Sequence, residues 1–112
     1  MPQDRKSTPE LEGVVLASEL VAFQPGAVVS RTVVQKAAGT VTVFAFGAGE
    51  GLSEHTAPFD ALVLGLEGEA DISISGAPHR VGPGGLLKLP AGQPHAIAAM
   101  SPFKMLLVMI RA

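Results

Sequence analysis

Glycine and proline cut this chain into short pieces, and their rhythm limits its fold more than any other feature. The breaks fall at Pro25-Gly26, Gly47 to Gly51, Gly65 to Gly68, Gly76 to Pro78, Gly82 to Gly85 and Pro90 to Pro94. Turn signals roughly ten residues apart, with short apolar runs between them, predict an all-β sandwich or barrel. Asparagine is absent, so turns that need positive φ must rely mainly on glycine.

The runs between the turns read as strands. Ala27 to Gln35 and Thr40 to Phe46 are dense in Val, Thr and Phe, which suit a pleated surface. Glu69 to Ile74 alternates, with Ala70, Ile72 and Ile74 on one face and Glu69, Asp71 and Ser73 on the other. Ala61 to Leu66 and Met105 to Ile110 are apolar on both faces and must be covered on both, by a second sheet or a partner subunit. A helical reading survives in one place, where Thr8-Pro9-Glu10 could cap a helix carrying Leu11, Val14, Val15 and Leu20 on one stripe; Gly13 argues against it. The chain of 112 residues has room for one domain, expected over 8–112 behind a flexible tail at 1–7.

Composition narrows the function. Without cysteine there is no disulfide framework, thiolate nucleophile or thiolate metal ligand. The net charge is −2 and the 8 basic residues are scattered, which excludes nucleic acid and anionic membrane as natural partners. The polar start resembles no signal peptide. The longest strongly apolar run, Met105 to Ile110, falls far short of the roughly 20 residues a membrane span needs, so the expected location is the cytoplasm. The chain is nonetheless 47% hydrophobic and only 16% charged. A small domain has little interior in which to hide that surplus, so a homodimer is expected, with an interface on the order of 2,000 Å².

Two stretches carry a family resemblance. Gly49 to Gly68 reads G-E-G-L-S-E-H-T-A-P-F-D-A-L-V-L-G-L-E-G, and Gly84 to Ala99 reads G-G-L-L-K-L-P-A-G-Q-P-H-A-I-A-A. They are similar to the two cupin motifs, G-x5-H-x-H-x3,4-E-x6-G and G-x5-P-x-G-x2-H-x3-N. Gly49, His55 and Gly68 match the first; Gly84, Pro90, Gly92 and His95 match the second. The resemblance implies an antiparallel β-barrel or jelly roll, the double-stranded β-helix of small RmlC-like, conserved-barrel cupins. It also implies a homodimer that exchanges an N-terminal strand, with Leu20 to Phe23 or Ala27 to Gln35 crossing over. In metal-binding members, three histidines and a glutamate from these motifs hold the ion. Here Ala57 stands at the second His position, Ala61 at the Glu position and Ala99 at the Asn position.

Strand parity then predicts a pocket. His55 and Ala57 should share a face, continued by Ala61, Val63 and Gly65. If Lys104 faces solvent, Phe103, Met105, Leu107 and Met109 face inward. The expected ligand pocket is lined by His55, Ala57, Ala61, Val63, His95, Phe103, Met105 and Met109, an apolar cavity with two imidazoles in it. His55 and His95 are either hydrogen-bonding pocket residues, or metal ligands, or one of them is structural. Two imidazoles suit a divalent transition metal (Zn, Ni, Fe, Mn or Cu), but stable sites use three or four ligands, and the rest would come from Asp60, Glu54, Gln93 or a bound substrate. His79 is expected at an exposed rim. The functional readings are therefore a binder of a small organic molecule, or a metal-dependent enzyme of oxygenase, isomerase or cyclase type using His55 and His95.

Overall fold

The computed structural model describes residues 11–111. The expected tail at 1–7 and the helix cap at Thr8 to Glu10 lie outside the described residues. Nine strands follow one another: β1 (Val28–Lys36), β2 (Gly39–Phe46), β3 (Gly51–His55), β4 (Asp60–Glu67), β5 (Ala70–Ile74), β6 (Ala77–Val81), β7 (Leu86–Leu89), β8 (His95–Ala99) and β9 (Phe103–Ile110). The only helical element among the described residues is a single 3-10 turn at Ala17–Glu19. The helix considered for Leu11 to Leu20 does not form, and Gly13 adopts φ +67°. No helix among the described residues is long and apolar enough to cross a membrane.

All strand pairs are antiparallel and build two stacked sheets, in the orders β1-β2-β9-β4-β7 and β3-β8-β5-β6. No ladder joins the two sheets among the described residues, so the barrel is a jelly-roll sandwich rather than a hydrogen-bonded cylinder. Its core lies between them. Phe46, Val63, Ile72, Phe103 and Met105 are fully buried there, and Ala70, Ile97 and Leu89 pack with them. Alternation fixes which side chains enter: on β4, Ala61, Val63 and Gly65 are buried while Asp60 and Glu67 are exposed.

Strands β2, β4 and β9 are also apolar on their outer face, and the chain covers part of that face itself. Leu20, Val21 and Phe23 pack over Val43, Ala45, Leu66 and Leu106. The anchor of this strap is Lys104. It does not face solvent, as expected, but is only 9% exposed. Its Nζ donates to the Ser18 carbonyl at 2.7 Å, lies 4.7 Å above the Phe23 ring and sits 3.6 Å from Glu67. Lys104 still points away from the sandwich interior, so the inward parity of Phe103, Met105 and Leu107 holds; the overlying strap is what removes the ammonium from water.

Leu20 to Phe23 cover their own sheet, and β1 pairs with its own β2 from Val28↔Phe46 to Lys36↔Gly39. In this structure both segments serve the chain they belong to.

A buried ammonium bonded to a carbonyl contributes about 1.5–3 kcal/mol. Lys104→Ala is therefore expected to lower the unfolding free energy by about 2–3 kcal/mol in chemical denaturation and to make residues near Ser18 accessible to limited proteolysis. Unchanged proteolysis would show that Lys104 does not hold the strap.

Candidate functional site

The site forms where β3 and β8 pair. His55 and His95 are direct cross-strand partners. Between Leu52↔Ile97 and His55↔His95 the register gains one residue on β3, a β-bulge. Residues three apart on a regular strand face opposite ways; the bulge lets Leu52 pack against the core while His55 still meets its partner. On the other strand, the turn at Pro90 to Pro94 leads directly into His95. Gly92 takes φ +80° there, and its N–H donates to the Ala57 carbonyl at 2.8 Å, tying the two loops at the mouth together.

The imidazoles meet edge to face, with centroids 4.4 Å apart and planes at 69°. His95 is buried and His55 exposed, so one ring forms the back of the site and the other its rim. His55 Nδ1 lies 2.9 Å from the Ser53 carbonyl, and His95 Nδ1 lies 3.3 Å from the Gln93 carbonyl. A carbonyl only accepts, so each neutral ring carries its proton on Nδ1 and keeps an Nε2 lone pair free. Two such lone pairs can accept hydrogen bonds from one small molecule or coordinate one ion.

The remaining predicted pocket residues divide into two groups. Ala61 (6% exposed) and the half-buried Met109 are register partners next to the mouth. Ala57 is half-buried but lies off the strand: β3 ends at His55, and the chain turns through Thr56 to Phe59, so strand parity does not govern it. Val63, Phe103 and Met105 have no exposed surface and form the packed core beneath. Their inward parity put them in the interior, but closely packed side chains leave nothing for a ligand to touch.

The structure adds a wall that sequence reasoning left unassigned. Register places Thr32 opposite Thr42, and Thr42 opposite Leu107. They therefore share a face with Phe44 and Leu107, which pack toward the interior. The Thr/Val alternation of Thr40 to Val43 was visible in the sequence. It is ordinarily a sign that the hydroxyls face water, whereas here they lie on the sheet face that packs toward the interior.

Two of the candidate further ligands, Asp60 and Gln93, are otherwise engaged. Asp60 Oδ1 accepts the Ala91 N–H at 2.8 Å, and Oδ2 lies 3.8 Å from Lys88 Nζ. Gln93 Oε1 accepts the Ser75 hydroxyl at 3.3 Å, and Glu54 is exposed. His79, on edge strand β6, is exposed. Among the described residues no three His, Asp or Glu side chains cluster tightly enough to hold an ion. The residues present thus supply half of a four-ligand donor set, and do not make a metal centre by themselves.

Burial is the main cause that pushes the His95 pKa below its ordinary value; the neighbouring His55 lowers it further, against an opposing pull from the Gln93 carbonyl. A folded-state pKa below the unfolded one means the unfolded chain binds the extra proton more readily. The stability this burial allows is therefore complete above the unfolded value near 6.5 and is lost as pH falls through the folded pKa. His95→Gln is expected to flatten the pH dependence of the melting temperature below about pH 6.5. An unchanged slope would assign that dependence to other groups.

Comparison with known proteins matches the architecture to a family. A cupin domain model matches residues 41–110. No curated protein matches the chain. Among solved structures, a conserved protein of unknown function from Streptococcus pyogenes is 35% identical, with a TM-score of 0.88 over 95% of this chain and 93% of that one. A cupin superfamily protein from Desulfitobacterium hafniense is 33% identical, with a TM-score of 0.84 over 96% and 97%. A cupin 2 conserved barrel domain protein from Leptotrichia buccalis is 40% identical, with a TM-score of 0.80 over 83% of this chain and 45% of that one. With the family model spanning more than half its length and the jelly roll intact, the chain belongs to the cupin family.

Proposed function

We propose that this cupin binds a small organic molecule in the cleft between its sheets, in the cytoplasm, with His55 and His95 as its polar anchor. The observation that carries this reading is the pairing of two imidazoles, centroids 4.4 Å apart, whose Nδ1 atoms both lie on backbone carbonyls and so leave both Nε2 lone pairs to accept. Such a pair accepts hydrogen bonds from a ligand hydroxyl or N–H while the rings are neutral. Phe44, Ile74 and Leu107, which are only partly buried against the core, offer apolar contact. Thr32 and Thr42 add hydroxyls on the facing wall. A few polar groups on apolar walls are the usual make-up of a small-molecule site.

Nuclear magnetic resonance against a library of small hydroxylated and carboxylated molecules tests this. Ligands are expected to perturb the amides of His55, His95, Thr32 and Thr42 together, and His95→Ala to weaken binding about tenfold or more, equivalent to roughly 1.4 kcal/mol. If no compound moves these amides, or if His95→Ala binds equally well, the proposal fails.

The second reading is a metal-dependent enzyme, favoured by one detail. Backbone carbonyls on both Nδ1 atoms orient both Nε2 atoms, as outer-shell groups do around metal-ligating histidines. With Ala57 and Ala61 at ligand positions, the remaining ligands would come from water or substrate. The binding proposal therefore expects zinc titrated into the protein to gain much less than the about 10–16 kcal/mol of a four-ligand structural site. A tightly held equivalent of metal in freshly purified protein would overturn it in favour of the metal-dependent reading.

A further inference from the structure

The central ladder runs one residue past β9, at the end of the sandwich where the histidines lie. The Arg111 N–H donates to the Ala38 carbonyl at 2.7 Å, directly after the pair Gly39↔Ile110. Strand alternation therefore continues, and it puts Arg111 on the inner side with Met109 while Ile110 stays on the outer. The guanidinium lies over the ring of Phe59, 5.8 Å from its centroid.

Phe59 belongs to the loop that carries the site. That loop begins at His55 and ends at Asp60, and the bond from the Gly92 N–H to the Ala57 carbonyl ties it to the turn before His95. Four residues of chain reach at most about 14 Å when extended, and the bend at Pro58 and Phe59 shortens that span. Arg111 thus stands at the lip of the opening, within the length of a small molecule from the imidazoles.

Its hydrogen-bonding state sets Arg111 apart from the other arginines of residues 11–111. Arg31 donates to the Leu20 carbonyl at 3.3 Å, and Arg80 is held by Asp71 and Glu69. No carboxylate among the described residues pairs with Arg111. Asp60, the register partner of Ile110, is turned instead to the Ala91 N–H and Lys88. Stacking occupies one face of a guanidinium and leaves its N–H groups, which lie in the plane, for a planar acceptor. The acceptor that fits such a fork with two parallel bonds is a carboxylate.

The two ends of the opening are complementary. The neutral imidazoles of His55 and His95 offer lone pairs, and Arg111 offers donors and a charge. Around the rim, Arg111, Lys36 and Lys88 stand against Glu54 and Asp60, a surplus of one positive charge that suits a monoanion better than a phosphate dianion. We propose that Arg111, stacked on Phe59, determines specificity for a hydroxycarboxylate: the guanidinium takes the carboxylate, and the His55–His95 pair accepts from the hydroxyl a few bonds away. This rests on the binding reading of the same site and names its ligand class.

The test pairs each acid with its uncharged counterpart. The full-length chain is titrated with 2-, 3- and 4-hydroxybutyrate, with the three corresponding amides, and with inorganic phosphate, at constant ionic strength. Nuclear magnetic resonance follows the His55 and His95 amides and the Arg111 Nε–H. The best acid is expected to move all three signals and to bind at least about tenfold tighter than its amide. Arg111→Gln should reduce the acid to the level of the amide while changing amide binding less than twofold, and Arg111→Lys should recover only part of the preference. Higher salt should weaken the acid and leave the amide alone. Arg111 is exposed, so its variants should keep the wild-type circular dichroism spectrum. Acid and amide binding alike at the histidines would overturn the assignment of Arg111 and leave the binding reading standing. So would an acid preference that survives Arg111→Gln, and phosphate binding tighter than every acid would overturn the ligand class. If none of these compounds moves the histidine signals, the hydroxycarboxylate class falls.

Discussion

Burial of both faces of β2, β4 and β9 is the constraint on which the rest of this molecule depends. The inner face is covered by the four-stranded sheet, around Phe46, Val63, Phe103 and Met105. The outer face is covered in part by the N-terminal strap, around Val21, Val43 and Ala45. A one-residue slip would exchange the inner and outer apolar sets of these strands, each of which is shaped to a different cover. The central ladders are accordingly long: β2 and β9 stay in continuous register from Gly39↔Ile110 to Phe46↔Phe103. Lys104 fits this scheme as the one charge on a face that is otherwise apolar along β9. It is tolerated because Ser18 and Glu67 satisfy it, and it marks where the strap must lie.

The candidate site occupies the other sheet, where constraint is weaker. There β3 has five residues, carries a bulge and lies at the edge. An edge strand with a local irregularity can re-aim a side chain without disturbing a core, and here it turns His55 toward His95. The loops on either side are then fixed by a few polar contacts, Gly92 to Ala57 and Ala91 to Asp60. Asp60 illustrates how closely structural and functional roles compete at such a mouth. By proximity it was a candidate ligand, yet its carboxylate terminates a backbone N–H of the turn that leads into His95.

Much of the fold was legible in the sequence because periodicity reports burial directly. The alternation of Ala70, Ile72 and Ile74, and the two-sided apolar runs at Ala61 to Leu66 and Met105 to Ile110, correspond to the observed strands and their faces. What could not be read was anything that depends on an interruption of period two. The bulges in β1 and β3 leave no residue-type signal, and the end of β3 at His55 defeated the parity argument for Ala57. Parity also separates inside from outside without separating core from cavity, which is why Val63, Phe103 and Met105 were grouped with the pocket. Lys104 was misread for a related reason. A charged side chain on the outer face of a sheet is assumed wet, and only the tertiary path of a strap, with Ser18 lying 86 residues earlier in the chain, shows otherwise.

The family motifs themselves separate into two kinds of residue, and this chain retains only one kind in full. The surviving glycines shape the backbone. Gly68 takes φ +73°, and a Cβ added there would collide with the Pro102 carbonyl; Gly92 holds the turn before His95. The residues replaced, at Ala57, Ala61 and Ala99, are those whose side chains would have carried chemistry. Turn geometry is needed for the jelly roll to close whatever it binds, so losing it would cost the fold. Losing a ligand costs only one reaction and widens the space beside Ala61. On the reading proposed above, a cupin that retains every turn residue and half of its donors keeps a binding place at His55 and His95. On that reading, its ligand is selected less by the donors lost than by the walls that remain: the partly buried Phe44, Ile74 and Leu107, and the hydroxyls of Thr32 and Thr42.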